Sequence, residues 1–428
     1  MRGCAKIRGS RALKLDERGP PNIHRSVCMT SSTFSEPHSS GLPYYQELAR
    51  KGEVHFEPSR EMYLVLSHRL VRRVLTDPHT FSCRNGIENV FKDATSAPAL
   101  LGLDPPDHTR LRALAASAFT PQTVARLKRC TYELAHRVLN EVIEAGAMDV
   151  VADISDKLPL MVIAGILGLP RDDWKHFLRW SHYIAAAAAP TVTREKEADH
   201  RGPLLEMRRY LLAEIEDRRT RPMEDLLSRF VHADVEGARL DTEEVLSLTM
   251  LLVSAGHGTT ANGIGQGIRW LLAHPDQLDK LRRDRRLLPT AVEEILRYDP
   301  PMYMVPRVVT RTVDLEGHTL EEGDRLLYVA ATANRDENVF SYPDQFDITR
   351  DPNPHLSFGY GIHFCLGAAL ARQEMRAALD VILDRCLHLE RADTAPLEHG
   401  GAVHLNGLKH LRVRFQPGAQ CSVDVAAA

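Results

Sequence analysis

The residue of this 428-residue chain best placed to do chemistry is Cys365, in the segment Phe358-Gly-Tyr-Gly-Ile-His-Phe-Cys365-Leu-Gly-Ala. Gly359 and Gly361 permit a tight loop whose backbone can lie flat against a large planar group. Cys365 comes just before Leu366, Gly367 and Ala368, where apolar residues begin to recur at helical spacing. A sulfur in that position faces free backbone N–H groups and the positive end of the helix dipole, and both favour the thiolate. A thiolate is what a soft metal ligand must be. A cysteine before a helix is more often a small buried hydrophobe. The spacing of the glycines and His363 around Cys365 argues against that reading here.

A second unusual stretch lies in a long helix. Asp241 followed three residues on by Glu244 makes a capping box, and the apolar pattern runs to about Ala273, before Pro275. At about 1.5 Å per residue the helix is roughly 48 Å long, enough to cross a whole domain. Its middle, Leu251 to Gly267, holds five glycines and the adjacent Thr259 and Thr260. Each glycine costs about 1 kcal/mol against alanine in such a position, so the stretch marks tight packing or a groove. Gly263, Gly265 and Gly267 do not form a dinucleotide fingerprint, because no strand precedes them and they open no helix.

The elements that must position these residues are mostly helical. Apolar spacing predicts helices over 122–145, 204–220, 242–273, 290–298 and 366–388. Short strands are expected at 62–66, 307–315, 326–330 and 411–415, near the two ends of the chain. The fold class is therefore mainly α with small β-sheets. A single domain is expected over 31–417, with a disordered leader over 1–30 and a flexible tail over 418–428. A formal charge of -3 gives no bulk case for nucleic acid. The seven cysteines are scattered without a CxxC pair, which suits a reducing compartment and a cytoplasmic protein. The most apolar run, Leu158 to Leu169, is too short for a bilayer, and the basic N-terminus lacks the apolar core of a secretory signal.

The cysteine segment closely resembles that of the cytochrome P-450 superfamily in its soluble bacterial form. The family pattern F-x-x-G-x-H-x-C-x-G is met by Phe358, Gly361, His363, Cys365 and Gly367. The resemblance extends over roughly 40–417. It implies a triangular-prism fold with a b-type haem held between the long helix and the cysteine loop, Cys365 as axial ligand to the iron, and Ala255 among the residues against the haem. It also implies that His108 and Arg112, an i, i+4 pair, bind a haem propionate together with Arg307 and His363. Taken alone, the His108–Arg112 pair would read as a solvated helix face. Glu294 and Arg297 match the family's E-x-x-R element, a structural ion pair behind the cysteine loop, with Arg350 as its third member.

The family's long-helix pattern, A/G-G-x-D/E-T, pairs an acid with an alcohol for proton delivery. Here Ala255-Gly256-His257-Gly258-Thr259 keeps the alcohol, Thr259, and replaces the acid by Gly258. His257 is no substitute, because adjacent helical residues point about 100° apart; it reads as a packed or surface histidine. The resemblance thus implies a monooxygenase inserting one oxygen atom from dioxygen into a small apolar organic substrate, in secondary metabolism or catabolism. Gly258 keeps open a different reaction class: peroxygenase, nitric oxide reductase-like or rearrangement. Met302, Tyr303, Met304 and Val305 match a substrate-contact segment. Electrons would come from NAD(P)H through a separate ferredoxin or flavodoxin with its reductase. That partner would dock on the cysteine-loop side of a monomer, where Arg110, Arg112 and Arg372 could supply charge.

Overall fold

The computed structural model describes residues 41–84, 91, 93–116, 119, 121–187, 194–235, 237–400 and 404–418. The expected leader lies outside these residues, as does the expected tail apart from Gly418. The helices are α1 (Leu42–Lys51), α2 (His68–Thr76), α3 (Asp107–Ala116), α4 (Pro121–Asn140), α5 (Lys157–Leu167), α6 (Trp174–Ala187), α7 (Arg194–Thr220) and α8 (Leu226–Val231). They continue with α9 (Thr242–Ala273), α10 (Pro275–Arg283), α11 (Leu288–Tyr298), α12 (Ala330–Ala333) and α13 (Ala368–Arg385). The strands are β1 (Val54–Glu57), β2 (Met62–Val65), β3 (Phe81–Ser82), β4 (Ala147–Asp149), β5 (Asp234–Val235), β6 (Ala238–Arg239) and β7 (Met304–Val309). After them come β8 (Val313–Leu315), β9 (His318–Leu320), β10 (Arg325–Val329), β11 (Cys386–Arg391), β12 (His399–Gly400), β13 (Gly407–Leu408) and β14 (Arg412–Pro417).

One strand and one helix expectation changed on folding. The stretch expected as one strand over 307–315 is divided between β7 and β8. The helix expected to reach 388 stops at Arg385, because Cys386 to Arg391 pairs with β14. The main sheet has the order β1-β2-β10-β7-β3 and brings strands from distant parts of the chain together. β2 runs parallel to β10, and β10 pairs antiparallel with β7, setting Arg307 opposite Leu326.

The long helix α9 is the axis of the helical part. Asp241 accepts from the Glu244 N–H at 2.8 Å and Glu244 returns the bond to the Asp241 N–H at 3.0 Å, so two orphan donors of the first turn are satisfied. α5, α6, α7, α11 and α13 pack around α9, and the largest core cluster runs through Met250, Val253, Ile264 and Ile268 of α9 to Ile295 and Leu379. Burying each such side chain stabilises by roughly 1.5–3 kcal/mol. Two of the α9 glycines are explained by this packing. A Cβ on Gly263 would stand 2.9 Å from Met375 Sδ, and one on Gly267 would stand 3.1 Å from Ile295 Cδ1. Among the described residues no helix is long and apolar enough to cross a membrane.

A buried carboxyl of α13 has no charged partner among the described residues. Glu374 of α13 is 3% exposed and its Oε2 has no partner. Burial holds its carboxyl well above the ordinary 4.5, so the folded protein keeps it protonated while the unfolded chain ionises it. Stability linked to that proton is whole below about pH 4.5 and is lost as pH rises through the raised value. Glu374→Gln should therefore gain stability relative to the parent as pH goes from acid to neutral. Melting temperatures measured across that range test this, and parallel profiles for the two proteins would rule the account out.

Candidate haem-thiolate site

Gly359 and Gly361 take φ of +70° and +69°, the left-handed region that glycine enters without strain. A Cβ on Gly361 would also overlap the carbonyl oxygen of Leu75 at the end of α2. The loop so formed is closed by Cys365 N–H donating to Phe358 O at 2.9 Å and Phe364 N–H to Gly361 O at 3.1 Å. It delivers Cys365 to the N-terminus of α13. Cys365 is exposed, yet protein crowds its sulfur, and this desolvation raises the thiol pKa. A hydrogen bond from the Gly367 N–H and the charges of Arg112 and Arg372 act the other way. Solvent access combined with desolvation describes a sulfur at the floor of a recess. A metal cation above it would complete the ionisation that these donors begin.

Around the recess stands a set of donors without acceptors. His108 is 2% exposed, and its ring lies 4.2 Å from that of His363. Both ring nitrogens of His108 and Nε2 of His363 are buried without partners. Desolvation, with His108 and Arg307 close by, pushes the His363 pKa down to about 3. Buried Arg307 lies over the Tyr328 ring and donates to Pro306 O at 2.7 Å. Arg112 donates to Phe364 O. Neither arginine has a carboxylate partner among the described residues. Buried donors of this kind are costly unless a ligand accepts from them, and two carboxylates would satisfy them. Asp104, the carboxylate nearby, already accepts from Ser82 Oγ and the Cys83 N–H. Cys83, Asp104 and His363 do group their ligand atoms within 4.8 Å. Arg307 acts on both Cys83 and His363, so the local field repels a cation there.

On α9 the face turned to open space carries Ala255, which is exposed, and Gly258 and Thr259, which are half-buried. Thr259 Oγ1 donates to Ala255 O at 2.9 Å. A Cβ on Gly258 would meet nothing within 4 Å. The glycine-rich stretch thus serves both ends it could serve: Gly263 and Gly267 for packing, Gly258 for a gap. His257 lies on the far face, buried, with Nδ1 2.7 Å from Ser181 Oγ and Nε2 3.6 Å from Asp156 Oδ1. It is a packed histidine.

Behind the cysteine loop, Glu294 and Arg297 are fully buried and joined by two bonds of 2.8 Å. Arg350 Nε adds a bond of 3.1 Å to Glu294. Arg297 also donates to the carbonyls of Asn334, Pro343 and Gln345, and Glu294 accepts from Asp347 N–H and Asn353 Nδ2. Every lone pair and proton here is matched, which is what a buried ion pair requires.

The cytochrome P450 family model matches residues 151–407. The chain is a cytochrome P-450. It is 37% identical over 389 residues to the monooxygenase PikC of Streptomyces venezuelae, covering 88% of this chain and 92% of that one. It is 35% identical over 380 residues to the cyclomarin C epoxidase CymV of Salinispora arenicola, with 87% and 95% covered. A solved structure of the cytochrome P-450 BioI in complex with an acyl carrier protein carrying hexadec-9Z-enoic acid superposes with a TM-score of 0.81. That match has 32% identity and covers 88% of this chain and 98% of that one. The P-450 family implies haem, and the chain is a cytochrome P-450 monooxygenase by family. Its recess fits the group: a sulfur at the floor and unpaired ring nitrogens of His108 and His363 beside it.

Some expectations need correction. Tyr303 and Met304 are spent in core packing: the Tyr303 hydroxyl donates to Asp299 at 2.8 Å, and Met304 Sδ receives Tyr45 OH at 3.9 Å. Met302 and Val305 are half-buried. Tyr303 immediately precedes β7, and its side chain and that of Met304 enter the same core cluster. Arg110 is paired with Glu244, and Arg372 holds Glu293 through bonds of 2.7 and 2.8 Å, so neither charge is unpaired. A basic cavity that the sequence reading missed lies beside α13. It encloses about 680 Å³ and is lined by Lys128, Arg285, Arg286 and Arg376 with Asp380 as its carboxylate. The run Arg282 to Arg286, four arginines in five residues, was the signal for it.

Removing one partner from the buried pair strands the other charge. Arg297→Ala should cost about 3–5 kcal/mol. Urea unfolding of the variant measures this, and a loss below about 1 kcal/mol, typical of an exposed pair, would contradict the burial.

Proposed function

We propose that this cytochrome P-450 is a haem-thiolate monooxygenase that inserts one oxygen atom from dioxygen into a small apolar organic substrate of secondary metabolism or catabolism. The carrying observation is the crowded, solvent-accessible Cys365 sulfur ringed by buried donors without acceptors. Cys365 would ligate the iron, and His108, Arg112, Arg307 and His363 would hold the propionates of haem b. Ala255, Phe358, Gly361 and Gly367 would lie against the ring, while Glu294, Arg297 and Arg350 fix the segment behind it. When bound, the haem supplies activation of dioxygen, and the thiolate favours O–O cleavage. The names of PikC and CymV, a monooxygenase and an epoxidase, support this reading.

The protein's own part is proton handling. Thr259 would supply a hydroxyl able to pass a proton to the reacting oxygen. In place of the family's acid, the space beside Gly258 admits a water or a hydroxyl of the substrate. The half-buried Met302 and Val305 offer apolar surface to that substrate. Two electrons come from NAD(P)H through a ferredoxin or flavodoxin and its reductase. An acidic partner of this kind would be steered to the monomer, in the cytoplasm, by the basic cavity beside α13.

The reduced carbonyl complex of the haem-loaded protein should show the red-shifted Soret band of thiolate ligation, and Cys365→Ser should abolish it. A library screen for substrate-induced Soret shifts identifies the substrate class. With the compound so found, Gly258→Asp should change the share of reducing equivalents that ends in product; no change would exclude the gap from proton handling. The absent acid favours one second reading, in which peroxide alone supports turnover. Activity with peroxide and none with a surrogate ferredoxin system would replace the first reading by the second.

A further inference from the structure

Glu293 and Glu294 are neighbours on α11 with different partners. Glu294 belongs to the closed set with Arg297 and Arg350. Glu293 accepts from Arg372 Nε at 2.7 Å and from Arg372 Nη2 at 2.8 Å, a guanidinium fork matched to two carboxylate oxygens. His355 Nε2 stands 3.1 Å from Glu293 Oε2. The Ser357 N–H donates to His355 Nδ1 at 3.2 Å, so Nδ1 keeps its lone pair and the ring proton sits on Nε2, which donates to the carboxylate. The His355 side chain is buried, and those of Arg372 and Glu293 are half-buried. Desolvation raises the Glu293 carboxyl, yet the bonds from His355 and Arg372 bring it down to about 2, so it is ionised at neutral pH.

The guanidinium held in this way lies against the cysteine loop. Arg372 follows Cys365 by seven residues, about two helical turns, and side chains of α13 lean back toward its N-terminus. Arg372 Cζ stands 4.3 Å from the centroid of the Phe358 ring. Phe358 O is the acceptor that closes the loop on the Cys365 N–H at 2.9 Å. The His355 ring is 6.0 Å from the same Phe358 ring. A guanidinium stacked on an aromatic face and forked onto a carboxylate has little freedom left. A cation is thus fixed beside the loop that carries the sulfur, with an anion bonded to it. Arg112, the other cation acting on Cys365, reaches the loop through Phe364 O and has no carboxylate among the described residues.

We propose that Glu293 is a positioning residue for the thiolate ligand: it holds Arg372 against Phe358 and, by its opposite charge, sets how much positive potential reaches Cys365. The inference rests on the reading of Cys365 as the haem ligand. Positive potential at the sulfur favours the reduced haem, which carries one more electron, and a carboxylate opposes it. Glu293 and Arg372 therefore move the reduction potential in opposite directions, although they form one brace. The electron is the one the redox partner supplies, and no proton moves.

The test uses haem-loaded parent, Glu293→Gln, Arg372→Gln, Arg372→Lys and the double variant Glu293→Gln/Arg372→Gln. Each is titrated spectroelectrochemically, and its reduced carbonyl complex reports that it is folded and thiolate-ligated. A unit charge about 10 Å away at an effective dielectric constant of about 20 changes an equilibrium roughly tenfold, which for one electron is about 59 mV. Arg372→Gln should lower the potential by about that much. Glu293→Gln should raise it by at least about threefold in the same ratio, since its charge acts from farther away. The double variant should fall between the two. Arg372→Lys, which keeps the charge and loses the fork, should stay nearer the parent than Arg372→Gln does. A brace without an electrostatic role would shift both single variants the same way or leave both unchanged, and either result overturns the proposal. If Glu293→Gln does not fold, Arg372→Lys decides: a fall as deep as that of Arg372→Gln overturns it. A parent lacking the red-shifted Soret band would instead remove the reading of Cys365 as the iron ligand.

Discussion

A sulfur crowded by protein stays protonated unless positive charge faces it, and the organisation around Cys365 follows from that constraint. Burial pushes the thiol up, while the Gly367 N–H, Arg112 and Arg372 pull it down. The two arginines are brought there differently. Arg112 comes from α3 and is held by Phe364 O; Arg372 comes from the second turn of α13 and is held by Glu293. The loop itself is possible only because Gly361 can pass beneath Leu75 in a left-handed conformation.

The protein deals with buried charge in two opposite ways. At Glu294 and Arg297 each donor and acceptor finds a partner within the chain, so the site is complete and rigid. At His108 and His363 ring nitrogens are buried and left without partners among the described residues. An unmatched buried donor costs about 1–3 kcal/mol, so a cluster of them is tolerable only where a ligand removes the cost. The first arrangement stiffens the scaffold under the loop; the second would gain stability from a ligand that accepts from it.

α9 shows the same division along one helix. Glycine weakens a helix wherever it occurs, and in α9 that weakness serves two purposes. Gly263 and Gly267 let Met375, Ile295 and Leu379 come close, so lost propensity is offset by packing. Gly258 lets nothing close. It interrupts the acid–alcohol pattern on the face beside Thr259, while His257 is turned away toward Ser181 and Asp156.

Much of this was legible in the chain. The capped long helix, the glycine-framed cysteine before α13, the i, i+3 pair of Glu294 and Arg297 and the missing acid at Gly258 are local patterns, and short-range spacing determines local geometry. Which glycines pack and which leave space was not legible, because the answer depends on what Met375, Ile295 and the recess place opposite them. The same is true of Tyr303 and Met304, whose apolar character suited a substrate but whose strand faces a separate core, and of Arg110 and Arg372, whose charges are paired by residues far away in sequence. The sequence by itself determined the residues able to ionise, bend and donate. Only tertiary structure decided which of them are left unpaired, since a hydrogen bond or ion pair across α3, α9, α11 and α13 depends on distance in space, which spacing along the chain does not set.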